Sequence, residues 1–196
     1  MTYRAVLFDF FGVICPDVHK LWIKENGFAE RMHELIDTYY QYSDIGSLSQ
    51  SDLYKDLGKL VGRSATQVEA EINKFISIDP FVLQIIRTLH TKYKVGLCSN
   101  APIGYVEGIM QQYHLGNDFD AVLISSAIHL RKPERAIFEK ASGILHVEPQ
   151  EIIFIDDNEL NVSAAGDIGM KAFRFSTSAQ LLSDLNLLGL DLQLES

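Results

Sequence analysis

Six side chains that can bind metal ions or anions stand at or just after the ends of short apolar segments: Asp9, Ser99, Asn100, Lys132, Asp156 and Asp157. Carboxylate oxygens suit Mg²⁺, which takes one or two protein carboxylates together with water and substrate oxygens. The Ser99 hydroxyl and nearby backbone amides can donate hydrogen bonds to phosphate oxygens, and Lys132 adds a positive charge. A carboxylate such as Asp9 can attack phosphorus once its repulsion from the phosphate is neutralised. The alternative is that these are unrelated turn and helix-capping residues.

The six side chains can act together only if the segments before them are neighbouring strands of one sheet. Apolar segments of strand length lie within residues 4–14 and at Lys94–Cys98, Ala121–Ile124, Ile152–Ile155 and Lys171–Phe175. Helical segments alternate with them, which predicts parallel β-α-β units. The carboxyl ends of parallel strands meet at one edge of a sheet, where ligands bind. We therefore expect an α/β fold with a doubly wound, Rossmann-like parallel sheet and helices on both faces.

Residues 16–80 have a different pattern, because their apolar side chains recur at helical spacing. The first such stretch covers residues 32–40, and two later ones begin near Ser49 and Thr66, each with an acidic residue three positions further on. Strand-like alternation is not evident in this segment. The sequence therefore predicts an all-helical insertion between the first strand and the rest of the sheet.

Composition and charge restrict the possible partners. The 196 residues suit one domain, or a core with a modest insertion, and 17 basic against 26 acidic residues give a net charge of −9. This charge argues against non-specific nucleic-acid binding. No segment approaches the roughly 20 apolar residues of a membrane span, and no signal-peptide pattern is evident. Cys15 and Cys98 lack metal or redox spacing, so we expect buried free thiols in a reducing, cytoplasmic location.

Four motifs occur in a fixed order along the chain: Phe8–Ile14, Leu97–Ala101, Arg131–Phe138, and Phe154–Val162 followed by Gly169 and Met170. Each motif alone is weak, but together they span nearly the whole chain and resemble the haloacid dehalogenase-like hydrolase superfamily. The resemblance implies a core of residues 1–15 and 81–196 whose strands have the order 5-4-1-2-3. It also implies that residues 16–80 form the small helical cap found in one large subgroup.

The resemblance implies phosphoryl-transfer roles for the residues that follow the first three strands. Asp9 is expected to be the nucleophile, and Lys132 is counted with it as catalytic. Ser99, Asn100 and Lys132 are expected to bind the phosphate. The expected substrate is a small phosphorylated metabolite, such as a sugar phosphate, and the expected intermediate is an aspartyl phosphate. The family makes both a monomer and a homodimer plausible.

The resemblance also implies a Mg²⁺ site at the same edge of the sheet. Its ligands are expected to be the carboxylates of Asp9 and Asp156 and the backbone carbonyl of Phe11. Asp157 completes the set, either by binding a metal-bound water or by orienting Lys132.

The chain departs from the family pattern at Phe11, where phosphatases of this family usually have a second Asp as general acid and base. A positioned acid–base group typically contributes roughly 10²–10⁴-fold to the rate. Its absence predicts a slow second step and an unusually persistent phospho-enzyme. The first interpretation is a Mg²⁺-dependent phosphatase whose acid is dispensable or comes from the cap or from solvent.

Two alternatives accommodate Phe11 differently. In a metal-independent 2-haloacid dehalogenase, an aromatic residue stands at this position, but two further carboxylates beside the nucleophile do not suit that reaction. The only arginines of the expected cap, Arg31 and Arg63, also have the sequence context of solvated residues. A non-hydrolytic domain that binds a phosphorylated ligand or a protein partner would explain the loss of the second Asp, but it would have no need of Lys132.

Several residues of the expected cap are further candidates. Asp17 could replace the missing acid or cap the first helix of the insertion. His19 and Trp22 could face a substrate or pack inside the cap. The same choice applies to a group of three tyrosines: Tyr39, Tyr40 and Tyr42. We expect packing for the tyrosines and helix capping for Asp17.

Overall fold

A five-stranded sheet forms the centre of the molecule. The computed structural model of the chain describes residues 2–190 and residue 192. The strands are β1 Ala5–Phe8, β2 Lys94–Ser99, β3 Ala121–Ile124, β4 Ile152–Asp156 and β5 Lys171–Arg174. All four pairings are parallel, in the order β3-β2-β1-β4-β5. The predicted fold class and the strand order 5-4-1-2-3 are therefore confirmed.

The central strand β1 sets the position of the candidate site. Phe8, its last residue, pairs with Leu97 of β2 on one side and with Ile155 of β4 on the other. The backbone amide of Asp9 then donates to the Ile155 carbonyl at 2.9 Å. The three central strands thus end nearly level, and the residues after them meet at one edge.

Among the described residues after the insertion there are six α-helices: α6 Pro80–His90, α7 Tyr105–Gln112, α8 Ser125–Ile128, α9 Arg135–Leu145, α10 Glu159–Asp167 and α11 Ser178–Leu187. β1 shows how the helices cover both faces of the sheet. Val6 and Phe8 belong to one apolar cluster, whereas Ala5 and Leu7 belong to another on the opposite face. This alternation follows from the two-residue period of a strand, and burial on both faces explains why β1 is continuously apolar.

The segment between β1 and α6, which we call the helical insertion (residues 18–73), contains five α-helices: α1 Val18–Glu25, α2 Met32–Leu35, α3 Gln41–Asp44, α4 Gln50–Val61 and α5 Ala65–Asn73. Short turns of 3₁₀-helix, Ala29–Arg31, and of π-helix, Ile36–Tyr40, interrupt its first half. One continuous helix was expected over residues 32–40, so the π turn is a departure from the sequence pattern.

Two helix starts in the insertion can be compared with their expected positions. The Ser49 side chain caps α4 and accepts from the Asp52 amide, as expected. The cap of α5 is Ser64, with Gln67 completing a capping box, so the start expected near Thr66 was placed two residues too late. Within residues 2–190 and 192, no helix combines the length and the apolar character that crossing a membrane requires.

Candidate functional site

A buried lysine lies between two carboxylates at the carboxyl edge of the sheet. Lys132 Nζ is 2.7 Å from Asp9 Oδ1 and 2.7 Å from Asp156 Oδ2, and all three side chains are almost fully buried. Burial alone would lower the pKa of Lys132, but the charges of Asp156 and Asp9 outweigh it and raise the pKa. The ammonium therefore stays charged. Burial and the neighbouring Asp156 raise the pKa of Asp9, which Lys132 offsets only in part.

Asp156 is held by two asparagines in addition to Lys132. Asn161 Nδ2 donates to both of its carboxylate oxygens at 3.0 Å, and the Asn158 amide donates to Oδ1 at 2.8 Å. Asn158 also caps α10, so the start of this helix places Asn161 against the carboxylate. No role was predicted for Asn161 from the sequence. Its position one turn inside a helix that starts directly after a strand-end carboxylate is the signal that could have identified it.

Asp157 brings a third carboxylate to the same place. Oxygens of Asp9, Asp156 and Asp157 lie within 4.8 Å of one another. Gly12, which has a φ of +89°, passes so close that a Cβ there would lie 2.5 Å from Asp157 Cγ. A side chain at position 12 would therefore collide with the carboxylate, and the positive φ also favours glycine.

A second lysine reaches this carboxylate from the helical insertion. Lys20 Nζ, on α1, is 3.6 Å from Asp157 Oδ2 and 2.8 Å from Asp17 Oδ2. Burial lowers the pKa of Lys20, but the charge of Asp17 and its hydrogen bond to Lys20 have a larger, opposite effect. The net shift of the pKa is therefore upward. Lys20 was not predicted from the sequence, because a lysine on the first turn of an amphipathic helix gives no local sign of what lies opposite.

Ser99 and Asn100 follow β2 and behave differently from each other. The Ser99 hydroxyl is fully buried and has no hydrogen-bond partner among the described residues. The Asn100 side chain exchanges two hydrogen bonds with the Lys132 backbone, at 2.8 and 2.9 Å. Its amide group therefore holds the segment that carries the lysine, whereas the Ser99 hydroxyl is left without a protein partner.

Phe11 belongs to an aromatic cluster that joins the sheet edge to the insertion. Its ring stacks on Tyr105 with centroids 5.8 Å apart and meets His19 edge-on at 6.2 Å. His19 also contacts the rings of Tyr40 and Tyr54. Burial lowers the pKa of His19 to about 4, so its imidazole is neutral at pH 7. The side chain at position 11 thus packs against aromatic rings and offers no group for proton transfer.

The remaining candidates have structural contacts of their own. Asp17 caps α1 by accepting from the Lys20 amide at 3.0 Å, which confirms the capping interpretation. Trp22 is fully buried and donates to Glu71 within the insertion. Arg31 pairs with Glu34, and Arg63 binds Asn26 and Glu71.

The three tyrosines and the two cysteines differ in how far they are buried. Tyr40 is buried but its hydroxyl has no partner among the described residues, Tyr39 is partly buried in the core cluster, and Tyr42 is about half exposed. Cys15 and Cys98 are buried free thiols, as expected. Packing therefore accounts for the rings of Tyr39 and Tyr40 but not for Tyr42.

A relative with a named activity and a solved structure resemble the chain over most of its length. The D-ribitol-5-phosphate phosphatase of Bacteroides thetaiotaomicron is 28% identical over 204 residues, which cover 94% of this chain and 98% of the relative. A solved structure of a predicted haloacid dehalogenase-like hydrolase from Porphyromonas gingivalis, 22% identical, superimposes with a TM-score of 0.78 over 98% of this chain and all of that one.

A second solved structure has the same fold and contains ligands. A haloacid dehalogenase family enzyme from B. thetaiotaomicron, in complex with magnesium and inorganic phosphate, superimposes with a TM-score of 0.68 at 23% identity over 89% of this chain and 94% of that one. The family model described as haloacid dehalogenase-like hydrolase matches residues 3–169. With its sheet order and the carboxylates and lysine at the sheet edge, the chain belongs to the haloacid dehalogenase-like hydrolase family.

Proposed function

We propose that this hydrolase is a Mg²⁺-dependent phosphatase that acts on a small phosphorylated metabolite through an aspartyl phosphate on Asp9. One observation carries the proposal: oxygens of Asp9, Asp156 and Asp157 converge within 4.8 Å, beside the buried ammonium of Lys132. The B. thetaiotaomicron relative, a D-ribitol-5-phosphate phosphatase, supports a phosphate ester as the substrate.

The donor set fits a magnesium ion. Three carboxylates face one buried ammonium and the partly exposed Lys20, so the group has more negative than positive charge until a cation joins it. Mg²⁺ prefers oxygen ligands from one or two carboxylates and keeps its remaining positions for water and phosphate oxygens. Asp9, Asp156, Asp157 and the backbone carbonyl of Phe11 would hold it. Bound there, the ion supplies positive charge that reduces the repulsion between the carboxylates and a phosphate.

The residues around Asp9 can bind and orient a phosphate. The unpartnered hydroxyl of Ser99 can donate to one phosphate oxygen, and Lys132 offers a charged donor next to the nucleophile. Asn100 positions Lys132 through its side chain, which leaves its main-chain amide as the group that can face the phosphate. Positioning and charge neutralisation of this kind provide most of the rate enhancement in phosphoryl transfer.

The reaction has two steps at the same phosphorus atom. A carboxylate oxygen of Asp9 attacks phosphorus, the bond to the ester oxygen breaks, and the leaving alkoxide takes a proton. Water then attacks the aspartyl phosphate, loses a proton and releases inorganic phosphate and the Asp9 carboxylate. Each step requires one proton transfer, and Phe11 can perform neither.

We also propose that residues 16–80 act as a cap over a core formed by residues 1–15 and 81–196. The insertion reaches the site at two places. Lys20 contacts Asp157 from α1. His19 contacts the rings of Phe11 and Tyr105 in the core, and Tyr40 and Tyr54 pack on His19 within the insertion. The substrate's leaving group would lie between these two parts.

The geometry favours a phosphatase over a haloacid dehalogenase. Two further carboxylates beside Asp9 would repel a carboxylate substrate unless a cation joined them. In the described part of the chain, Arg31 and Arg63 of the insertion are paired with acidic or amide partners in the insertion itself. Neither arginine is in place to bind a haloacid carboxylate.

The test is hydrolysis of a phosphate-ester panel by the wild type and by Asp9→Asn. The panel contains D-ribitol 5-phosphate, sugar 1-phosphates, 2-phosphoglycolate and acetyl phosphate, each assayed with Mg²⁺ and with EDTA. We expect turnover that requires Mg²⁺ and disappears in Asp9→Asn, whose thermal unfolding should match that of the wild type. Turnover of 2-haloacids without metal, or an active Asp9→Asn protein, would overturn the proposal.

A further inference from the structure

The proposed reaction needs a proton donor and acceptor that the first motif does not provide. Phe11 stands where the family usually has its second Asp, and its ring is enclosed by His19 and Tyr105. His19 is neutral at pH 7 and is itself surrounded by rings. The Asp17 carboxylate pairs with the Lys20 ammonium and accepts a hydrogen bond from the Lys20 amide at the start of α1. None of these three side chains can fill that role, which leaves the other carboxylates near the site as candidates.

Asp44 is such a carboxylate, and the structure holds it against the core. It is the last residue of α3, and the two residues after it contact the segment that follows β3. The Ile45 carbonyl lies 2.9 Å from His129 Nδ1. Gly46, with a φ of +77°, approaches Ser126 so closely that a Cβ there would lie 2.9 Å from the Ser126 carbonyl oxygen. This double contact places the end of α3 beside the chain that leads to Lys132.

The charged groups around Asp44 include Lys132 of the proposed site. Arg131 and Lys132 face it from the core, whereas Asp17 and Tyr40 face it from the insertion. The Asp44 side chain is partly buried and makes no hydrogen bond or ion pair with the described residues. Burial raises the pKa of Asp44 to about 7, against the opposing effect of the two cations. A carboxyl group with this pKa can both donate and accept a proton at neutral pH.

We propose that Asp44 replaces the missing second Asp as the general acid and general base of this phosphatase. When Asp9 attacks phosphorus and the ester bond breaks, the Asp44 carboxyl gives its proton to the leaving oxygen. The resulting carboxylate then takes a proton from the water that attacks the aspartyl phosphate, which frees Asp9 and restores the Asp44 carboxyl. The inference rests on the proposed phosphatase function.

The test compares Asp44→Asn with Asp37→Asn, which makes the same chemical change at an exposed residue of the insertion. Two substrates separate the two proton transfers. D-Ribitol 5-phosphate has an alkoxide leaving group that needs a proton, whereas p-nitrophenyl phosphate leaves as a stable phenolate. Both are assayed with Mg²⁺, and circular dichroism establishes that each variant is folded.

We expect Asp44→Asn to lower kcat on ribitol 5-phosphate by roughly 10²–10⁴-fold while KM stays near the wild-type value. On p-nitrophenyl phosphate it should release one equivalent of nitrophenol rapidly and then turn over slowly, because only hydrolysis of the phospho-enzyme needs the base. The persistent phospho-enzyme expected from Phe11 would thus belong to this variant. Asp37→Asn should behave as the wild type.

The pH profile gives an independent readout. For ribitol 5-phosphate, kcat/KM of the wild type should fall above about pH 7 as Asp44 loses its proton, and Asp44→Asn should lack that descent. Equal rates for Asp44→Asn and Asp37→Asn, or an effect confined to KM, would overturn the inference while Asp9-dependent turnover leaves the proposed function intact. A wild type that hydrolyses no phosphate ester would overturn both.

Discussion

The sheet edge and the helical insertion place their polar side chains in contrasting ways. At the sheet edge, Asp9 and Asp156 stand at the ends of adjacent strands whose register is set by backbone pairing. In the insertion, 3₁₀ and π turns interrupt the first half, and Asp44 stands at the end of a four-residue helix. Strand topology alone therefore aligns Asp9 and Asp156, whereas the position of Asp44 depends on how the insertion packs on the core.

The two regions also differ in how their charges are paired. Lys132 is buried with two carboxylates, whereas ion pairs of the insertion such as Arg31–Glu34 and Lys59–Asp56 lie at the surface. Exposed pairs of this kind contribute about 0–1 kcal/mol, while removing one partner of a buried pair is much more costly. Substitutions in the two regions should therefore have effects of different size and kind.

The largest effect is expected for Lys132→Met, which leaves Asp9 and Asp156 buried without their ammonium. The free energy of unfolding, measured by urea denaturation in EDTA, should fall by roughly 3–5 kcal/mol, and turnover should be lost. Mg²⁺ should restore part of that stability, because it supplies the missing positive charge. Lys140→Met, at an exposed position of α9, is the matched control and should be close to the wild type. Equal stability of the two variants would show that the buried pairing matters little.

An effect of intermediate size is expected when one glycine in each region is replaced by alanine. Gly12 and Gly62 both have positive φ, but a Cβ at Gly12 would meet Asp157 at 2.5 Å, whereas one at Gly62 has no neighbour within 4 Å. Gly62→Ala should cost only the left-handed backbone penalty, roughly 1–2 kcal/mol. Gly12→Ala should cost more and should also weaken Mg²⁺ binding, measured by calorimetric titration of each variant. Unchanged Mg²⁺ affinity in Gly12→Ala would remove Asp157 from the metal site.

The smallest effect concerns the aromatic cluster between the two regions. The pKa of His19 is about 4 in the fold against about 6.5 in an unfolded chain, so the unfolded state binds more protons between these values. His19 therefore lowers stability progressively as the pH falls from about 6.5 to about 4. In His19→Phe that contribution is absent, so the variant should gain stability relative to the wild type on acidification. The difference in stability between His19→Phe and the wild type is measured by urea denaturation at pH 7.5 and at pH 5. The same difference at both pH values would contradict a buried neutral imidazole.

Sequence patterns were most informative where local rules suffice. The strands were located to within a residue at most ends, because short apolar segments flanked by polar turns are typical of buried strands. Ser49 was recognised as a helix cap from a local spacing. The π turn at Ile36–Tyr40 was not predicted from the sequence. Over two turns, the apolar spacing of an uninterrupted helix is nearly the same as that of a helix with one inserted residue.

By itself, the sequence determined which side chains lie at the edge of the sheet. Parallel strands bring their carboxyl ends to one edge, so Asp9, Lys132 and Asp156 could be grouped without coordinates. Only the tertiary structure decided which residues of the insertion face that edge. Lys20 and Asp44 are polar positions on helices, and the groups that surround them depend on non-local packing and on the contact of Ile45 with His129. No pattern within the insertion contains that information, because the groups that determine it are more than eighty residues away in the chain.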